Sequence, residues 1–233
     1  MERSPYDKGI RDAIPIVSAY FPISMTFGVI ATSGGIPWAI TILISAWIYA
    51  GSAQFMLVSL ALSGTSPTST VITVLLVNLR HFLYGTTLGP SFMKWSEPKR
   101  WLSAFGLTDE VFAVTSSRFI TETPLPAYQV TFTYICYISW LLGTIIGASI
   151  GKVVPSVVSD ILSFALPALF VALLMLGNRS IPYFIAAILG AGLSVLADRL
   201  SMESFGIVMG ALVGATCGMF LQRVSMNLPT RRS

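Results

Sequence analysis

The sequence predicts an all-α membrane protein, a polytopic bundle of seven or eight transmembrane helices with broken or re-entrant segments. Three observations predict it. First, 10% of the 233 residues are charged and 54% are hydrophobic, whereas a soluble domain carries about 25% charge. Too few polar groups remain to cover a globule, so the surface faces lipid. Second, several apolar stretches run to about 20 residues, the length that crosses about 30 Å of hydrocarbon at 1.5 Å per residue. Third, these runs are continuous, which argues against a transmembrane β-barrel built from short alternating segments. The chain, 1–233, reads as one integral domain in a lipid bilayer.

The expected spans are 13–33, 36–62, 68–89, 102–120, 127–150, 160–177, 181–197 and 204–222. Asp12 and Asp160 fit helix N-termini, where an acid meets the positive dipole end. Pro37 fits the first turn of the second span. Three spans look broken. The second contains "YAGSAQF" (49–55), in which Gly51, Ser52 and Gln54 interrupt apolar residues. The fourth contains Gly106, Leu107 and Thr108 directly before two acids, and the sixth contains Pro167, which removes a backbone hydrogen bond. Backbone breaks at membrane depth persist only where protein or a wet cavity surrounds them, and in transporters they supply helix ends that hold solutes or ions. A plain kink or packing glycine is the alternative at each single break. "GNRS" (177–180) reads as an interfacial stop.

Lys94, Lys99 and Arg100 form the densest basic loop and are expected on the cytoplasmic side. Arg3, Lys8 and Arg11 favour a cytoplasmic N-terminus as well. Both hold only if one intervening segment, most plausibly 36–62, re-enters without crossing. The scattered basic residues behind the net charge of +4 give no footprint for nucleic acid. Cys136 and Cys217 lie in apolar runs and read as free thiols. With one histidine and no ligand spacing, no metal or other cofactor is expected. The sequence lacks a phosphate-binding loop, a nucleophile elbow and an HExxH motif, so an enzyme is not expected.

Two glycine stripes stand out: Gly143, Gly147 and Gly151, and Gly206, Gly210, Gly214 and Gly218. Residues four apart share a helix face, so each stripe is a groove for close helix packing. A solute-lining surface is the other reading.

Charges at membrane depth are costly, by about 3 kcal/mol each on insertion scales, and tend to face an interior and find partners. Those here are Arg80 and His81 in "VNLRHFLYG" (77–85), and Asp109 with Glu110 in "FGLTDEVFAV" (105–114). Counting residues back to the intervening loop places Arg80 roughly 15 Å and Asp109 roughly 12 Å deep. Arg80 is therefore expected to pair with Asp109 or Glu110. Adjacent helical residues point about 100° apart, so one acid can neutralise Arg80 while the other carries a proton. Alternatively, Thr108 caps a new half-helix and both acids sit in its first turn, where the dipole favours them ionised. A purely structural pair is the competing reading. His81 reads as a hydrogen-bonded core residue rather than a ligand. Asn78, Tyr84, Gln54, Tyr49 and Ser52 are further polar groups at depth, each with interhelical hydrogen bonding as the simpler role.

"YAGSAQF" (49–55), "NLRHFLYG" (78–85), "FGLTDEVFA" (105–113) and "LPALF" (166–170) together resemble the AzlC family, the large subunits of branched-chain amino acid exporters of the BrnF or YgaZ type. The resemblance extends from "IPIVSAYFPISMTFG" (14–28) to the last span. It implies proton-driven export of leucine, isoleucine, valine and sometimes methionine from a prokaryotic cell, through its membrane, with a small AzlD-type partner subunit. On this reading Asp109 or Glu110 carries the proton or binds the substrate ammonium, Arg80 sets their charge state, and Gln54, Ser52 and the break at Pro167 shape the cavity. An uncoupled channel or facilitator and a non-transporting scaffold are the alternatives.

Overall fold

The computed structural model describes residues 4–123, 125–154, 171, 181–199 and 203–227. Among these the secondary structure is helical, with no strand. The chain divides into two compact units, one of residues 1–65 and 78–166, the other of 66–77 and 167–233. The segment 160–177, with Asp160, Pro167 and "LPALF", and "GNRS" lie outside the described residues but for Val171.

The first unit is organised by α1 (Pro5–Ser33) and α8 (Pro126–Ile150). Both open on proline at the first helical turn, where its missing N–H costs nothing. Helix α1 starts two turns before the expected boundary at residue 13. Asp12 is therefore not an N-terminal acid but an interior residue. The reason is that residues 5–12, although polar, continue the helix, with Lys8 and Asp12 turned to Glu122 and Arg118 and with Asp7 and Arg11 exposed. Gly35, with φ of +99°, lets the chain turn after α1.

Close approach of α1 and α8 depends on Gly143, Gly147 and Gly151. A methyl at these positions would strike Ser24 Oγ, the Met25 carbonyl and Thr32 Oγ1 respectively. Gly28 answers from α1, where a methyl would lie 2.5 Å from the Ala148 nitrogen. Backbone-to-backbone packing of this kind is what small residues at four-residue spacing permit.

The expected second span is two helices, α2 (Trp38–Trp47) and α3 (Gly51–Leu62), parted at Ile48–Ala50. Pro37 is the residue that precedes α2, not one in its first turn. The broken ladder is repaired by side chains. Tyr137 donates its hydroxyl to the Ala46 carbonyl at 3.0 Å. Gln54 Nε2 donates to the Ile48 carbonyl, and its Oε1 accepts from Trp140 Nε1 at 3.2 Å. Phe27, Ala31 and Val58 form an apolar core between α1 and α3.

The expected third span is α4 (Pro67–Asn78) and α5 (Arg80–Phe92), interrupted at Leu79. No glycine or proline marks that break in the sequence. Helix α5 continues through Pro90 to Phe92, slightly past the anticipated loop. The expected fourth span is α6 (Glu97–Phe105) and α7 (Asp109–Thr121), parted at Gly106–Thr108. Gly106 docks on α8, where a methyl would stand 2.6 Å from Thr133 Cβ.

In the second unit, α9 (Ile181–Arg199) and α10 (Glu203–Asn227) cross through small residues. A methyl at Gly210 would meet the Gly190 carbonyl at 2.5 Å, at Gly214 the Ala186 carbonyl at 2.6 Å, and at Gly218 Ala186 Cβ at 2.8 Å. Gly206 lies one turn earlier on α10.

Among the described residues, three helical stretches are long and apolar enough to cross a membrane: Pro5–Ser33, Pro67–Phe92 and Pro126–Ile150. Large apolar side chains are exposed, Trp47 at 85% and Phe82 at 74%, while Gln54, Thr115 and Gln129 are wholly buried. Apolar outside and polar inside is the arrangement of a helical bundle in lipid. Cys136 is buried and Cys217 half-buried, both as free thiols.

Candidate functional site

Three helix starts converge in the first unit. Helix α3 begins at Gly51 and α5 at Arg80, both without a side-chain cap. Helix α7 begins at Asp109, and Thr108 caps it by accepting from the Val111 amide at 3.3 Å. Uncapped amides and the helix dipole give such starts a positive character suited to anions.

Arg80 bridges two of these starts. Its Nη1 lies 2.6 Å from Asp109 Oδ2, and its Nη2 donates to Ser52 Oγ at 2.5 Å. Tyr84, one turn along α5, donates its hydroxyl to Asp109 Oδ1. Its ring stacks on Phe112 at 4.3 Å. Both charged side chains are about a quarter exposed, so water reaches the pair. The Arg80 Nε and Asn78 Oδ1 are buried without a hydrogen-bond partner. His81 Nδ1 lies 3.2 Å from the Asn78 carbonyl, beside the Tyr84 ring.

The neighbouring acid goes elsewhere. Glu110 accepts from the Tyr20 hydroxyl at 2.7 Å, and that hydroxyl also lies 2.5 Å from Thr108 Oγ1. The two acids thus diverge to two helices, Asp109 to α5 and Glu110 to α1. Thr108 caps a half-helix with both acids in its first turn, and Arg80 still reaches Asp109.

Behind Glu110 stands an aromatic wall. Tyr20 meets Trp140 edge-on at 5.0 Å, Tyr49 meets Tyr137 at 5.0 Å, and Phe105 closes against both Tyr49 and Tyr137. Tyr49 is 6% exposed and its hydroxyl has no partner. Gln54 abuts the wall through Trp140, with both ends of its amide spent on protein groups. Gln54 therefore closes the helix break, and Ser52 is the residue of that motif that touches charge.

A second polar cluster lies at the other end of α7. Arg118 Nη1 pairs with Asp12, and Arg118 Nη2 lies 3.1 Å from Glu122 Oε1. Lys8 Nζ reaches Glu122 Oε2 at 3.1 Å, and Tyr128 donates to Asp12 at 2.8 Å. Glu122 sits outside the spans, and its carboxyl is held below the usual range, first by the Lys8 hydrogen bond and then by Arg118. Sequence reading missed this cluster and Tyr20 alike. The cluster's sequence signal was acids and bases a helical turn apart on α1 and α7, and Tyr20 had none.

Among the described residues, no group of His, Cys, Asp and Glu side chains stands close enough together to hold a metal ion. Thr115 and Gln129 hydrogen-bond at 3.1 Å and join α7 to α8.

A family model described as AzlC protein matches residues 15–154. The chain is 32% identical over 219 residues to the inner membrane protein YgaZ of Escherichia coli (strain K12), covering 91% of this chain and 86% of that one. It is 34% identical over 216 residues to an uncharacterized membrane protein of Archaeoglobus fulgidus, covering 90% and 92%. It is 26% identical over 183 residues to the branched-chain amino acid transport protein AzlC of Bacillus subtilis (strain 168), covering 78% and 71%. No solved structure matches.

Proposed function

This chain belongs to the AzlC protein family, and from that premise of membrane transport we propose that it is the large subunit of a proton-driven exporter of branched-chain amino acids. It works with a small AzlD-type membrane subunit in the cell membrane of a prokaryote. The printed name of the Bacillus subtilis relative supports the solute class.

The observation that carries the reading is the Arg80–Asp109 pair between the starts of α3 and α7. An exported amino acid brings a carboxylate that competes with Asp109 for Arg80. When Asp109 takes a proton, its hold on Arg80 weakens and the guanidinium turns to the solute. When the proton leaves, the pair reforms and the solute is expelled. Glu110, on Tyr20, is the second acid and the station for the ammonium or for a further proton. Ser52 and Tyr84 hold the partners in place. The aromatic wall offers apolar surface for a branched side chain.

Asp109→Asn and Glu110→Gln, each with normal expression, test this in cells loaded with a leucine dipeptide. Loss of efflux by ten-fold or more in at least one variant is expected. Full efflux in both refutes the coupling role.

A further inference from the structure

The cluster at the far end of α7 borders a cleft of about 330 Å³. Three helix ends meet there: the start of α1, the end of α7 and the start of α8. Arg118 lies nine residues along α7 from Asp109, so the cleft stands about 14 Å from the Arg80 site. Its volume falls at the lower end of the roughly 300–1,000 Å³ of ligand pockets, which suits a small solute.

The lining has two poles and an apolar floor. Lys8 and Arg118 form the cationic pole, and the start of α8 adds its dipole, with Leu125 supplying no side-chain cap. Glu122 and the last carbonyls of α7 form the anionic pole. Pro5, Phe119 and Leu125 supply apolar surface, and Leu125 is 47% exposed. Asp12 and Tyr128 sit behind Arg118 and fix its guanidinium, which also stacks 4.6 Å over the Tyr128 ring. Glu122 is 43% exposed and bridges two cations. It therefore already shows where a ligand carboxylate would sit, and its exposed side leaves room for it to turn to a ligand ammonium.

We propose that this cleft is a second binding site, for a small zwitterion with an apolar side chain. The carboxylate sits on Lys8, Arg118 and the start of α8. The ammonium sits on Glu122 and the end of α7, and the side chain lies over Phe119 and Leu125. The choice of L-leucine as probe rests on the transport reading above.

The test is saturation binding of radiolabelled L-leucine to the purified protein in phosphatidylcholine nanodiscs. The wild type is expected to bind two molecules per chain. Lys8→Gln and Thr123→Trp are each expected to bind one, with the remaining Kd changed less than two-fold. Thr123→Trp fills the cleft with every ion pair intact, so it carries the test if Lys8→Gln fails to fold. Glu122→Gln is expected to raise the preference for 4-methylpentanoate, which has no ammonium, over leucine by ten-fold or more. A purely structural Glu122 would not change that preference. One leucine per chain in the wild type, or two in both cleft variants, overturns the second site and leaves the transport reading standing. No leucine bound by the wild type overturns both. If the second leucine is lost in phosphatidylethanolamine nanodiscs alone, a lipid headgroup fills the cleft and the assignment is overturned.

Discussion

Replacing Arg80 and Asp109 singly and together measures the pair on which the proposed function turns. Their charged atoms are 2.6 Å apart. At an effective dielectric of about 20 the Coulomb attraction is about 6 kcal/mol. Each side chain is roughly a quarter exposed, and the cost of desolvating both charges cancels most of that attraction. A net coupling of about 1–3 kcal/mol remains. Among the described residues, Arg80→Gln leaves the Asp109 charge with the Tyr84 hydroxyl, and Asp109→Asn leaves the Arg80 charge with Ser52 and a neutral amide oxygen. Either single variant is expected to cost about 3 kcal/mol, since an unpaired charge stays behind. The double variant should cost less than the singles combined, by the coupling. The measurement is reversible unfolding in mixed detergent micelles, read by tryptophan fluorescence. A coupling below about 0.5 kcal/mol, within the usual additivity of independent sites, would mean that the two charges do not hold each other.

Four further outcomes follow from other parts of the molecule. Gln54→Leu leaves the Trp140 N–H without its partner and the Ile48 carbonyl with the Ala50 amide alone, and should cost about 1–3 kcal/mol in the same unfolding assay, as one buried donor is orphaned. Gly214→Leu should abolish the folded peak of a fluorescent fusion on size exclusion, because the Ala186 carbonyl occupies the space. Gly192→Ala, which meets open space, should gain about 0.5–1 kcal/mol. Glu122 has a carboxyl held below its ordinary value of 4.5 in the folded chain. Its contribution is therefore present above that ordinary value and lost as pH falls through the lower folded one. Wild type should melt above Glu122→Gln at pH 6, and the two should converge as pH drops below the carboxylate range.

The helical membrane class was legible because composition alone forces it. The break at 106–108 was legible too, since Gly106 and Thr108 are a stop and a cap in adjacent positions, and the acids that follow demand a partner. Arg80 was the one base at matching depth in the neighbouring span. Tyr20 was not legible as the partner of Glu110, because a tyrosine in an apolar helix looks like any other aromatic. Its role depends on the register of α1 against α7, which glycine packing between α1 and α8 sets from a distance. The interruption at Leu79 had no sequence mark. Asp12 misled by standing at the edge of the apolar run, where a hydropathy window ends but the helix does not.

That register explains why a helix of 13 residues can start inside a membrane protein and stay put. Moving four residues forward on α1 is matched by four back on α7: Lys8 faces Glu122, Asp12 faces Arg118, and two turns on Tyr20 faces Glu110. The helices run antiparallel, and one side of α7 is tied to α1 at both ends. Its start also carries Asp109 to α5, and its middle carries Thr115 to Gln129 of α8. Between the two polar ends of the α1–α7 seam, the same four-residue steps lead to Ile16 and Val114, whose side chains carry no polar group. The ties at the two ends of α7 are ion pairs and hydroxyls that a carboxylate or a proton can replace one at a time, so the contacts that fix the register of this short helix also make it responsive to charge.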